Sequence, residues 1–448
     1  MGDYITLSYR WSASELLTTK STTLAERLTG IPIDGFPRTL YDAVVVTRKL
    51  GKRYLWIDAL CILQDSPADW VDQSSRMGEI YGNAWLNISA DVAETAEAGF
   101  LVDRNLLEIR ACEHPALLNS TEVRQRLICP YIWSTRCTAH DNILTKRGWI
   151  FQERFYSRRI LHFLHHEVLW ECNAIVVSER CPVRLLNPKI SDGDTWKKIR
   201  RLQSTALPLD SDVAYASNVR ASGHVKHWRI ENWGFRAISF DPWYALVVEY
   251  SKTTLTRPAD RLPAVSSLAA LTKHKAVMAA TYIAGLWLED LSYGLSWSSL
   301  NSTWEETTDP VYVGPSFSWV SVGRPVCFYK ASCPDPDTEL QVLHYECTPA
   351  SNDPFGAVES ARITVRGLAK QLEDAKEVKD MIRFLPDALY RTPYLPRNVS
   401  LLFLGGNFLV LIRKGENIYS RIGLALDVGR NDLRLAPESW DRKEITII

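Results

Sequence analysis

The nine cysteines of this chain form no Cys-x-x-Cys pair, and their number is odd. No secretory signal opens the sequence, so a reduced, cytoplasmic protein with free thiols is expected. No apolar run approaches the roughly 20 residues needed to cross a bilayer, which excludes a helical membrane span. Charge of one sign is lacking too. The 52 basic and 52 acidic side chains cancel, which argues against a nucleic-acid binder. The motifs GxSxG, HExxH and GxxxxGK[ST] are missing, and with them the common hydrolase, zincin and P-loop chemistries. No repeat or low-complexity tract occurs. What is present is a chain of 448 residues, 46% hydrophobic, with sixteen tryptophans. That is enough for two or three domains with their own cores. Trp56, Trp70, Trp85, Trp149 and Trp170 lie in apolar patterns and are expected mostly in the core, with a minority free to line an aromatic pocket.

The segment Tyr54 to Ala90 is the most informative. YLWI reads as a strand buried on both faces, and Asp58 follows where a central strand of a parallel sheet delivers polar groups to its carboxyl edge. Ser66-Pro67-Ala68-Asp69 supplies an N-cap, a first-turn proline and an acid for a helix over 67–82. Trp70, Ser74, Met77 and Tyr81 recur at helical spacing, and WLNISA returns as a strand. Upstream, residues 1–11 read as a strand and 12–38 as a loop with one short helix. Thr39 is placed as the cap of a helix ending at Leu50 and Gly51. The order β-α-β-α-β predicts an α/β fold, a parallel sheet flanked by helices. Residues 91–140 lack periodicity and read as a helical or loop insertion. RGWIFQER reads as a helix or turn, and Arg159 to Cys172 as a hairpin around His165-His166. The first domain is set at 1–180, a connecting segment at 181–240, and a C-terminal region at 241–448. That last region reads as helical to about Trp304 and then as a small antiparallel β unit.

Candidate site residues gather around the strand ends. Asp58 can orient a ribose hydroxyl or act as a base, or simply cap the amides that follow it. Glu153 follows Trp149 and Phe151, an apolar setting that raises a carboxyl pKa toward that of a general acid; the alternative is a Glu–Arg pair tying the hairpin to the sheet. Trp149, Gln152 and Arg154 accompany it as ligand contacts. Ser8, Tyr9, Arg10 and Trp11 end the first strand and are expected to share Asp58's edge as ligand-binding groups. Gln64 and Asp65 are further polar edge groups. Cys61 is a candidate nucleophile, although its apolar neighbours suit a core thiol better. His162, His165 and His166 suggest a metal site, but zinc takes tighter, loop-borne pairs and a polar hairpin tip explains His165-His166-Glu167, so no metal and no cofactor are expected. Leu404-Gly405-Gly406-Asn407 reads as a tight turn rather than a phosphate loop.

Tyr4–Trp11, the Tyr54–Ala90 segment and Arg147–Arg154 resemble, in this order, the three blocks of the fungal heterokaryon incompatibility (HET) domain. Trp243–Leu262, Tyr282–Trp287 and Pro315–Trp319 resemble the region that often follows it. The resemblance implies an effector or regulator of incompatibility-type cell death. It also implies a TIR-like arrangement and nicotinamide-nucleotide (NAD-type) cleavage, with Glu153 or Asp58 as the acid near the ribose. The chain departs from the family at Ser12, where a glycine is usual, and at Phe155-Tyr156, where leucines are preferred. It also begins three residues before its first strand, so a preceding edge strand or regulatory segment is expected to be missing. These departures keep two alternatives open. One is a cofactor-independent dehydratase or cyclase of fungal secondary metabolism; the other is a non-catalytic module that binds a protein partner or self-assembles. Convergence of Asp58, Glu153 and Arg154 on one pocket is the test of the site.

Overall fold

Apolar and polar residues alternate along the short strands of the N-terminal part, and this alternation decides how its sheet is covered. The computed structural model describes residues 2–11, 17–104, 142–165, 167–173, 175–179, 240–276, 279–300, 312–329, 340–374, 383–387, 397–426 and 440–448, together with the backbone of 112–118 and 122–128. The chain divides into two units, Met1–Asn232 and Trp233–Ile448. Most of the expected connecting segment lies outside the described residues.

In the first unit, strands β1 (Tyr4–Ser8), β2 (Tyr54–Trp56), β3 (Leu86–Ser89), β6 (Arg159–Phe163), β7 (Val168–Cys172) and β8 (Val176–Ser178) form one sheet, in the order β2-β1-β3-β6-β7-β8, and β4 (Cys112–Leu118) and β5 (Glu122–Ile128) pair apart from it. The pairings from β2 through β6 are parallel, and β7 and β8 add antiparallel strands. Chain order reverses direction at β1, which has β2 on one side and β3 on the other. In α/β sheets such a switch point opens a crevice at the carboxyl ends of the strands. Ile5, Leu7, Leu86, Ile88 and Phe163 share one face and pack with Leu40, Ala43 and Val46 of helix α2 (Arg38–Lys49). The other face carries Thr6, Ser8, Asn87, Ser89, His162 and Glu171, aligned by register and all buried. The helix Gly148–Tyr156, hereafter the roof helix, delivers Glu153 and Arg154 onto this polar face and packs against the helix Met77–Asn83.

Several expectations are corrected. YLWI is not a central strand buried on both faces: β2 is the sheet edge and Tyr54 is exposed. The strand stops at Trp56, and Asp58 opens a one-turn helix, Asp58–Cys61. The helix expected over 67–82 is two helices, Pro67–Ser75 and Met77–Asn83, which meet at Arg76. Ser66 caps the first of them, its hydroxyl accepting from the Asp69 amide at 3.3 Å. Thr39 is no cap; it lies inside α2 and donates to the Thr95 carbonyl at 3.0 Å. Within the expected insertion, Cys112–Leu118 and Glu122–Ile128 pair as an antiparallel hairpin.

The second unit is not mainly helical. After the helices Asp241–Tyr250 and Ser266–Lys275, the stretch expected to continue helically forms a hairpin, Tyr282–Ile283 with Leu286–Trp287. Ala284 and Gly285 turn it with φ of 44° and 94°, the two positive angles of a type I′ turn. Gly285 is required there, because a Cβ would stand 2.6 Å from the Trp319 indole nitrogen. The indoles of Trp243 and Trp319 both donate to its carbonyl at 3.0 Å. Strands Val358–Asp374, Arg397–Phe403, Asn407–Gly415, Ile418–Leu426 and Asp441–Ile447 then close into a barrel, the last pairing both the first and the fourth. Gly405 and Gly406, with φ of 85° and 134°, make the expected tight turn. The fully buried tryptophans Trp243, Trp287, Trp297 and Trp319 belong to this unit, whereas Trp56, Trp70, Trp85, Trp149 and Trp170 are only partly buried. No helix among the described residues is long and apolar enough to cross a membrane.

Candidate functional site

Two carboxylates, Glu153 and Asp58, lie within electrostatic reach of each other near the carboxyl end of β1. Ser8, the last residue of that strand, donates to Glu153 Oε2 at 2.5 Å, and Asn87 on β3 donates to the Ser8 hydroxyl at 3.0 Å. Tyr81, from the helix beside the roof, donates to the Leu7 carbonyl at 3.3 Å and faces the Glu153 carboxyl. Asp58 accepts from the Trp11 indole at 2.8 Å and from its neighbour's amide, Ala59, at 2.7 Å. Arg147, just before the roof helix, donates to the Tyr9 carbonyl at 3.1 Å.

The electrostatics follow from burial. Desolvation lifts Glu153 to about 7 against the Ser8 bond, which favours the ionised form; the Asp58 charge adds to the rise, and Tyr81 and Arg147 oppose it. A carboxyl near 7 exchanges its proton at neutral pH, which is what an acid–base group needs. Asp58 is also raised by burial, with Trp11, Ala59, Arg147 and Tyr9 limiting the effect. Burial and the Asp58 charge push the Tyr9 hydroxyl up, so it stays a neutral donor.

The sequence candidates divide. Ser8, Tyr9, Trp11, Asp58 and Glu153 come together, and the buried Gln152 sits beside Glu153 in the roof helix. Arg154 does not join them. It pairs with Glu171 Oε2 at 2.7 Å, so the Glu–Arg tie between the roof helix and the hairpin is made by Arg154 and Glu171 and not by Glu153. Arg10 is exposed. Asp65 lies on the surface, accepting from the Ser21 amide at 2.8 Å. Gln64 is bound to the turn itself, donating to the Asp58 and Ile62 carbonyls at 3.0 and 3.1 Å. Trp149 is partly buried against Trp70, edge to face, with ring centroids 5.8 Å apart. Cys61 is exposed as a residue while its thiol is desolvated, and that desolvation with the Asp58 charge pushes its pKa up, away from a nucleophilic thiolate.

Sequence reasoning missed half of the polar face. His162 is buried in β6, its Nδ1 2.8 Å from Asp91 Oδ2 and its Nε2 3.2 Å from Glu171 Oε2. Asp91 also accepts from Ser89 at 3.0 Å and Asn142 at 2.7 Å. His165 is exposed, His166 lies outside the described residues, and no metal-binding cluster occurs among the described ones. A crevice lined by Ser8, Asn87, Ser89, Asp91, Arg154 and His162 links this row to the Glu153 site, and it is too narrow for a water-sized molecule. The signal was in the sequence: Thr6/Ser8, Asn87/Ser89, His162 and Glu171 alternate with apolar residues on four neighbouring strands.

No curated protein and no solved structure matches the chain. Residues 4–153 match the family model described as Heterokaryon incompatibility protein (HET), a span that runs from the first residue of β1 to Glu153 itself. The chain thus carries a heterokaryon incompatibility domain, whose matched residues include both carboxylates.

Proposed function

We propose that this HET-domain protein is an effector of incompatibility-type cell death, with Asp58 and Glu153 acting as a carboxylate pair on a nicotinamide-type nucleotide in a TIR-like manner. The observation that carries the reading is Glu153: buried, hydrogen-bonded through Ser8 and Asn87, and held near 7 beside a second carboxylate. In glycosidic cleavage the C–N bond breaks with its electron pair leaving on the nicotinamide nitrogen, and water then adds to the ribosyl cation. The ionised carboxyl stabilises that cation and accepts the proton of the added water. In this reading Asp58, beside Tyr9 and Trp11, accepts hydrogen bonds from the ribose hydroxyls. The test is nicotinamide release from NAD by the purified full chain, expected to fall ~100-fold or more in Glu153→Gln. No release by the folded wild-type chain, alone or assembled, would overturn the reading.

A second reading, a non-catalytic interaction module, is favoured by one observation. Both Asp58 oxygens are already satisfied, one by the Trp11 indole and one by the Ala59 amide. On that reading Asp58→Asn and Glu153→Gln leave the cell-death effect intact while the folded chain persists.

A further inference from the structure

The second unit buries a guanidinium that no carboxylate balances. Arg261 closes the short helical turn Pro258–Arg261, and its backbone is fixed there, because the Tyr250 hydroxyl donates to the Arg261 carbonyl at 2.8 Å. The residue is 7% exposed, and its Nε is fully buried with no hydrogen-bond partner. Among the described residues the guanidinium makes neither an ion pair nor a hydrogen bond. Burial pushes its pKa down, and the neighbour that acts against this is the Tyr250 hydroxyl, not a carboxylate. Arg421 shows the usual arrangement in the same unit: its guanidinium is paired with Asp387 and donates to the Leu295 and Trp297 carbonyls. An arginine does not shed its proton to escape burial. A desolvated cation without a partner is costly, and the cost falls when an anion reaches it.

One edge of this guanidinium is open to approach. Tyr250 packs edge to face on Trp319, with ring centroids 6.0 Å apart, which sets the turn Trp319–Val322 beside Arg261. That turn ends in Gly323, an exposed residue with φ of 59°. A Cβ at Gly323 would stand 3.7 Å from Arg261 Nη2 and within 4 Å of nothing else. Any longer side chain would lie over the guanidinium, and glycine leaves its edge free. We propose that Arg261 is an anion-binding site of the second unit, which takes the carboxylate of a small organic acid through the opening beside Gly323. A guanidinium edge offers two parallel N–H groups, which match the two oxygens of a carboxylate. The charge to be offset is single, as a carboxylate's is, whereas a phosphate dianion would bring a second charge into the site. Partial exclusion of water strengthens the attraction relative to a surface pair. The proposal does not rest on the Asp58 and Glu153 pair; a chain inert toward NAD can still bind the acid.

Thermal unfolding of the full chain in sodium acetate, against sodium chloride at matched ionic strength, tests it. An anion that binds only the folded site raises the unfolding temperature, by about 3 °C or more over chloride at about 0.2 M acetate. Arg261→Met keeps an apolar side chain, removes the charge and should lose most of that acetate-specific rise. Gly323→Asn lays a side chain over Arg261 Nη2 at a left-handed position that asparagine tolerates. It should lose the rise too, and it stands in if Arg261→Met fails to fold. No rise in the wild-type chain, or a rise of wild-type size in either folded variant, overturns the site. Sodium phosphate at the same ionic strength decides the ligand class: a rise with phosphate and none with acetate overturns the carboxylate assignment.

Discussion

Glu153 shows how a single buried side chain ties function to stability. A carboxyl raised from 4.5 to about 7 binds its proton more tightly in the folded chain than in the unfolded one. Its contribution is fully present below pH 4.5 and is lost as pH rises through 7, amounting to about 3 kcal/mol across that window. His162, raised as well, acts in the same direction. Unfolding of the N-terminal unit measured from pH 5 to pH 8 should therefore show stability declining, and Glu153→Gln should remove most of the acid-side slope. Parallel curves for the two proteins would mean that Glu153 is not held as its burial implies. Ser8, Tyr9, Trp11, Asp58 and Glu153 could be named from the sequence because each lies within a few residues of the end of an apolar run. Glu171 and Asp91 were not named, and His162 only as a metal candidate, because a polar residue at every second strand position ordinarily marks a solvent face. Only the roof helix makes that face interior.

At the scale of elements, local chemistry was mostly readable where it acts within a few residues. Ser66 and Pro67 start their helix as expected, and Ser66→Ala should cost about 1 kcal/mol, with Ser66→Gly costing only a few tenths. Thermal unfolding of the two variants checks the order; equal losses would place the effect outside the cap. The elements misread were those whose partners are distant. β2 looks like a core strand because Leu55 and Trp56 are apolar, yet the β1–β3 pairing leaves it at the edge. The helical reading of the Tyr282–Trp287 region failed for a related reason. Two indoles from elsewhere in the chain converge on the Gly285 carbonyl and favour a turn that local propensity does not demand.

For the molecule as a whole, each unit rests on a different kind of interior. The first sets a polar, hydrogen-bonded sheet face under a helix. The second closes a barrel and buries the Arg421 cation on the outer side of its wall, against Leu295 and Trp297. Arg421 donates to Asp387 at 2.8 and 3.1 Å and to the Leu295 carbonyl at 2.6 Å, and its guanidinium lies 3.4 Å from the Trp297 ring centroid. Arg421→Met leaves Asp387 without its partner and should cost ~3–5 kcal/mol. Arg421→Met combined with Asp387→Leu should recover a large part of that in a denaturant series. If the double variant is no more stable than the single, the ion pair is not what the barrel loses.

Sequence alone carried the α/β character of the first unit, the Ser66 cap, the Gly405-Gly406 turn and the HET blocks, and it named Ser8, Tyr9, Trp11, Asp58 and Glu153 as candidates. These follow from short-range periodicity and from residues that no apolar neighbour can leave exposed. The tertiary structure alone decided that β2 is an edge, that the second unit is a barrel, and that Arg154 turns from Glu153's site to Glu171 and His162. Those outcomes depend on which strands pair and which helix covers them. Their energies come from contacts between residues tens of positions apart, and no local window contains both partners.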